Sequence, residues 1–215
     1  MTFRNSFDAD LQTLSSSLIE MGNFAAEAVE KSIGALFSQN KTIARQVIEE
    51  DHQLNEMENN IEQLCLLLLL KQQPVASDLR KISTAIKMIT DIERIGDHAA
   101  DIAEITLLLD SGVFPEIHDS LRQMADTAQY MAKAATDAYV QGDLELARSI
   151  RKTDDVVDTA FLTIRKMLGE IIRTKPEQME AAMDFLIIIK YLERVADHAE
   201  NICEWVEYYM TGEKV

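Results

Sequence analysis

Apolar residues recur along this chain at spacings of three and four for nearly its whole length, with short polar breaks between the runs, and that is the period of helices. Leu11, Leu14, Leu18, Met21, Ala25, Ala28, Ile33 and Leu36 mark a first helix over about 7–37, broken by Ser38-Gln39-Asn40. Ala44, Val47, Leu54, Met57, Ile61 and Leu64 carry the stripe of a second, which runs to about 71. Pro74 ends it, and Ser77 or Asp78 is placed to cap the next. Leu79, Ile82, Ile86, Ile89, Ile92, Gly96, Ala99 and Ala103 define a third helix that stops near Ser111-Gly112, before Pro115. The pattern then repeats. A fourth helix is expected over about 116–140, ended by Gln141-Gly142-Asp143. A fifth spans about 144–173, and a sixth opens near Pro176, a residue suited to a first helical turn, and closes near Met210-Thr211-Gly212.

The repetition is not only of period. Residues 93–104 read Glu-Arg-Ile-Gly-Asp-His-Ala-Ala-Asp-Ile-Ala-Glu, and residues 193–204 read Glu-Arg-Val-Ala-Asp-His-Ala-Glu-Asn-Ile-Cys-Glu, identical at seven of twelve positions. A spacing of 100 residues is that of a duplicated domain-sized unit. Upstream, Ala44-Arg45…Val47…Asp51…Asn55 matches Ala147-Arg148…Ile150…Asp154…Asp158 at a separation of 103. The chain is therefore expected to be all-α, two tandem three-helix bundles of six long helices related by a pseudo-twofold, with domains at 1–112 and 113–215. Only 7 Gly and 3 Pro in 215 residues leave few breakers, which favours long helices over many short strands. With aromatics at 6 %, the cores must be aliphatic and filled by Met. The run over 64–70, Leu-Cys-Leu-Leu-Leu-Leu-Leu, is far short of the roughly 20 residues a bilayer span needs. It reads as a helix buried nearly all round, between its own bundle and the other half or another subunit.

Charge narrows the partners. The net charge is −16, from 37 acidic and 21 basic side chains, so polyanions are repelled and nucleic acid is not expected to bind. The start of the chain lacks the apolar stretch of a signal peptide, and no membrane insertion is expected. Cys65 and Cys203 belong to no metal-ligand spacing and read as free, buried thiols of a reducing, cytoplasmic compartment.

The acids are patterned. Glu93, Asp97, Asp101 and Glu104 step by four, four and three, within an arc of roughly 80° on one helix face. Glu193, Asp197, Asn201 and Glu204 repeat the arrangement. Like charges at this spacing cost about 0.2–0.5 kcal/mol per pair. Arg94 and Arg194 lie about 100° round the helix and read as poor local partners. If neighbouring helices are antiparallel, Asp51 and Asn55 meet Glu93, Asp97 and Asp101 across one groove. Asp154 and Asp158 meet Glu193, Asp197 and Asn201 across another. Each groove offers oxygen donors for a hard cation; a merely solvated acidic face is the alternative. His98 and His198 lie off the stripe and do not make the Glu-x-x-His of di-iron bundles, so a structural hydrogen bond to a neighbouring helix is expected of both. No nucleophile elbow, phosphate loop or catalytic triad is present, and no catalysis is expected.

These residues resemble the PhoU family of phosphate-uptake regulators. That family carries a duplicated E(D)-x-x-x-D motif, which Glu93…Asp97 and Glu193…Asp197 match. Asp154…Asp158 also matches, while Asp51…Asn55 departs at its second position. Pro74-Val75-Ala76-Ser77-Asp78-Leu79-Arg80 resembles the family's Pro-x-x-x-Asp-Leu-Arg segment ahead of the third helix. The resemblance implies a cytoplasmic, non-catalytic regulator that damps high-affinity phosphate import and phosphate-starvation signalling. It implies contact with the ATPase subunit of a phosphate ABC transporter and, where one exists, a sensor histidine kinase. A homodimer is expected, and the grooves are expected to hold divalent or trivalent metal ions such as iron, zinc, manganese or magnesium. The competing function is a non-haem di-metal carboxylate protein, a metal store or metalloenzyme.

Overall fold

The computed structural model describes residues 3–71 and 76–213. Six α-helices run α1 Phe3–Ser38, α2 Lys41–Lys71, α3 Ala76–Leu108, α4 His118–Gln141, α5 Leu144–Thr174 and α6 Met179–Thr211, and no strand occurs among the described residues. The breaks have local causes. Gln39 turns the chain with φ of 53°, and Asn40 Oδ1 accepts the amides of Thr42 and Ile43 at 3.1 and 3.2 Å, capping α2. Gly142, at φ of 64°, closes α4, and Asp143 Oδ1 accepts the Leu146 amide at 2.9 Å to open α5. Pro176 opens a 3-10 turn over Pro176–Gln178, and α6 begins only at Met179. Ser77 and Asp78 lie in the first described turn of α3, which starts at Ala76. The expected break at Pro74 lies outside the described residues.

The helices stack in two layers. One is a row in the order α2, α3, α6, α5; the other is α1, over α2 and α3, beside α4, over α5 and α6. Each half is a three-helix unit, and the pseudo-twofold runs between α3 and α6 and between α1 and α4. A single core spans both halves, with Leu18, Leu54 and Ile92 from the first and Met124, Ile164 and Leu192 from the second all but sealed from solvent. Met21, Met88, Met124 and Met131 fill it in place of aromatics. The connection between halves is packed too, since Phe114 and Ile117 are buried and Phe114 lies 5.3 Å from Phe185 ring to ring.

Cys65 and Cys203 are free and buried, and burial pushes both thiols up to about 12. Within one chain the leucine run is not buried all round, so the other half does not cover it. Cys65 and Leu68 are buried, but Leu66, Leu67 and Leu70 are 48 %, 46 % and 83 % exposed. The reason is position: α2 ends the row and packs only against α1 and α3, so half of its circumference has no neighbour.

Candidate functional site

Two acidic clefts open on the helix row, one between α2 and α3 and one between α5 and α6. In the first, the helices approach closely because Gly96 has no side chain: a Cβ there would lie 2.0 Å from Leu54 Cδ2. Asp51 on α2 then faces α3. Burial first, and then the charges of Asp97 and Asp101, raise its carboxyl above its ordinary value. Glu93 is raised by burial and by Asp97, Glu58 and Asp51, against the pull of Arg94. Asn55 joins this cleft, its Nδ2 donating to Asp51 Oδ2 at 3.4 Å.

In the second cleft Asp154 and Asp158 on α5 face Glu193 and Asp197 on α6. Burial, then Glu200, Asp158, Asp197 and Asp155, push Asp154 up to about 7. Its Oδ1 is buried with no hydrogen-bond partner. Asp197 is raised by burial, then by Glu193 and, less, by Asp158, against Lys190. Lys190 is ion-paired to Glu193. At the far end Arg151 reaches Glu200, Glu204 and Glu207 at 3.5, 3.3 and 3.1 Å.

Nine of the ten acid and amide positions picked out by pattern thus line the two clefts; Asp101 serves the α3/α6 seam as well, and Asn201 serves it instead. Asp101 acts on Asp51 but also accepts from His98 Nδ1 at 3.2 Å. Asn201 turns to the seam, where its Nδ2 donates to Asp91 Oδ1 at 3.2 Å. His198 Nδ1 reaches the same Asp91 oxygen at 2.9 Å, a bond to a neighbouring helix of the kind expected for both histidines; His98 bonds within its own helix. Arg94 corrects the expectation of a poor local partner, because Asp97 stands three residues on, about 60° round the helix, and Arg94 Nη1 lies 2.6 Å from its Oδ2. Glu58 and Glu200 were not picked out, yet each stands seven residues from a cleft acid, Asp51 and Glu193, and so about 20° from it on the same face.

Among the described residues no three His, Cys, Asp or Glu side chains stand ready to close on one metal ion. The donor set nevertheless fits a hard cation. It is all oxygen, its members raise one another's proton affinity, and one buried oxygen, Asp154 Oδ1, has nothing to bond. No described helix is long and apolar enough to cross a membrane.

The fold and clefts define a class: tandem three-helix repeats joined back to back, each with a carboxylate-lined cleft on a shared face. The PhoU domain matches residues 18–106 and again 121–206. A phosphate-specific transport system accessory protein PhoU homolog of Clostridium acetobutylicum is 36 % identical over 213 residues, covering 99 % of this chain and 97 % of that one. The protein of the same description from Pseudomonas aeruginosa is 34 % identical over 210 residues, 97 % of this chain and 87 % of that one. The crystal structure of PhoU from Pseudomonas aeruginosa superposes with a TM-score of 0.92 at 34 % identity, over 96 % of this chain and all of that one. That of the phosphate transport system regulatory protein PhoU from Streptococcus pneumoniae gives 0.91 at 32 %, over 97 % and 99 %. The chain belongs to the PhoU family.

Proposed function

We propose that this protein is a cytoplasmic, non-catalytic accessory regulator of phosphate transport, restraining high-affinity uptake and phosphate-starvation signalling through protein contacts. The observation that carries the reading is the pair of acidic clefts on one face of a fold whose full-length relatives are described as phosphate-transport accessory proteins. The partners proposed are the ATPase subunit of a phosphate ABC transporter and a sensor histidine kinase, with the protein acting as a homodimer. A net charge of −16 suits recognition of basic cytoplasmic surfaces, and such association weakens as salt rises.

Asp51, Glu93, Asp97 and Asp101 would hold a divalent or trivalent ion in the first cleft, and Asp154, Asp158, Glu193 and Asp197 in the second. Such an ion supplies a Lewis-acidic centre that neutralises the carboxylates and can take a phosphate oxygen or a partner's carboxylate. Asn55 would add an amide oxygen to the four carboxylates of the first cleft. The protein's own work is to hold two oxygen-lined clefts a fixed distance apart on one rigid face.

The test is labelled-phosphate uptake in a deletion strain at plentiful external phosphate. Uptake should rise without the protein and return to normal with the wild-type chain. A chain carrying Glu93→Ala, Asp97→Ala, Glu193→Ala and Asp197→Ala should not restore control. Unchanged uptake and unchanged intracellular phosphate in the deletion strain would remove the assignment.

A further inference from the structure

The seam between α3 and α6 carries two histidines that the clefts do not use, one of them bonded to the cleft residue Asp101. His98 and His198 meet across the pseudo-twofold with ring centroids 5.6 Å apart and planes 33° from parallel. Each ring is held through Nδ1 by a carboxylate: His98 by Asp101 at 3.2 Å, His198 by Asp91 at 2.9 Å. A carboxylate accepts, so Nδ1 carries the proton in both rings and each Nε2 is left with its lone pair. For His98 that nitrogen is buried and has no hydrogen-bond partner, in a residue only 8 % exposed. Tyr191 stacks on the same ring at 5.3 Å and fixes its plane. A buried, oriented imidazole nitrogen with nothing to bond is costly unless something supplies an acceptor for the lone pair.

We propose that His98 and His198 form a metal site distinct from the acidic clefts, taking one borderline divalent cation of the zinc class through their two Nε2 atoms. Three features fit. Metal-ligating histidines characteristically donate the other ring N–H to a carboxylate, the arrangement both rings show. An imidazole bound to zinc at about 2.0–2.1 Å has its ring centre roughly 3.2 Å from the ion, so two such ligands at tetrahedral to trigonal angles have centres about 5.2–5.5 Å apart. The observed 5.6 Å lies just above that range, so a small closing of the rings would let them share one ion. The His198 side chain is 21 % exposed, which leaves a wet side where water completes the coordination. Arg194 places a positive charge near His98, and Asp91 and Asp101, both bonded to the rings, offset it. Imidazole nitrogen selects zinc-class ions over magnesium and calcium, which keep to oxygen. The ion would tie α3 of one repeat to α6 of the other.

The experiment is a zinc titration of the metal-free full chain, with excess magnesium present for the clefts, read by nitrogen-15 NMR of the four histidine rings. Single substitutions assign them. The Nε2 resonances of His98 and His198 should move together and saturate at one zinc per chain, and His198→Gln should abolish the response of His98. Asp91→Asn should weaken zinc affinity by roughly 10–100-fold, as loss of a carboxylate behind a ligand does. Zinc shifts confined to the exposed His52 and His118, or movement of only one seam ring, would overturn the proposal. The wild-type titration alone decides it even where a histidine variant fails to fold. The clefts lack nitrogen donors, so a negative result at the seam leaves the cleft reading standing.

Discussion

Gly96 and Leu54 set how closely α2 and α3 can approach, and the second repeat solves the same contact with different residues. Position 54 corresponds to Val157 and position 96 to Ala196, and both of these are fully buried. A large residue over glycine in one half is thus a smaller one over alanine in the other. Gly96→Ala places a Cβ 2.0 Å from Leu54 Cδ2 and 3.5 Å from its Cγ. Carbon atoms pack best at about 3.5–4.0 Å, so Leu54 must retreat by roughly 1.5–2 Å. It is 1 % exposed and has no free space. Overpacking of this kind costs about 1–3 kcal/mol, and the better helix propensity of alanine returns about 1 kcal/mol. The net loss should be about 1 kcal/mol, or roughly 2–4 °C in Tm for a chain of this length.

Leu54→Val alone removes a buried methylene and should also cost about 1 kcal/mol. The double variant rebuilds the pairing of the second half and should melt near wild type, with a favourable coupling of about 1–2 kcal/mol. Contacting residues are where additivity fails. The assay is a double-mutant cycle by denaturant or thermal unfolding of the four proteins. A double variant as unstable as the sum of the singles would refute the packing argument. A second readout lies at the cleft: the Gly96 Cβ position is 3.9 Å from Asp51 Oδ1, so Gly96→Ala should weaken cation binding between α2 and α3 and leave the α5/α6 cleft unchanged.

Tyr139→Phe should lower stability by about 1 kcal/mol in the same assay, because its buried hydroxyl donates to the Lys81 carbonyl at 2.8 Å and bonds α4 to α3 across the repeats. Asp154 is raised in the folded state to about 7 from about 4 when unfolded, so its contribution is fully present below pH 4 and is lost as pH rises through 7. Chelator-treated wild type should therefore lose thermal stability over that window relative to Asp154→Asn, and parallel pH profiles would contradict the assignment. Changing Glu193 and Asp197 to Ala, or Glu93 and Asp97 to Ala, should lower the metal content of that half. In chelator the same variants should melt at or slightly above wild type, by a few tenths of a kcal/mol per relieved pair. Variants that melt at or above wild type without chelator, together with no effect of chelator on any protein, would mean the acids hold no metal.

How much of this was legible depends on what a linear pattern encodes. Spacings of three and four reveal which residues share a face, and Asn40, Gly142 and Asp143 announce where a helix stops, so the six helices and their pairing into repeats could be read directly. The neighbour of each face is not encoded. Leu66, Leu67 and Leu70 look like core, but their helix ends a row and the outer side faces water. The 100° step that parts Arg94 from Glu93 hides its i,i+3 relation to Asp97, only about 60° round the helix, where a guanidinium on three methylenes reaches the carboxylate. The meeting of His98 with His198 depends on the pseudo-twofold bringing two distant copies together, which no spacing within either copy reveals.

The two clefts differ in their countercharges more than in their acids. Asp51, Glu93 and Asp97 recur as Asp154, Glu193 and Asp197. The cations do not recur in the same way. In the first cleft Arg94 takes both Glu93 and Asp97, whereas in the second Lys190 takes Glu193 and Arg151 holds Glu200. Position 90, the counterpart of Lys190, is Thr90, and position 48, the counterpart of Arg151, is Ile48. Arg194, the counterpart of Arg94, makes no ion pair among the described residues and bears instead on His98. Were the acids present to make ion pairs that hold the fold, acid and partner would be expected to recur together. Acids that recur while their internal partners change are better matched to a partner both clefts share, which is the argument for the cation proposed above.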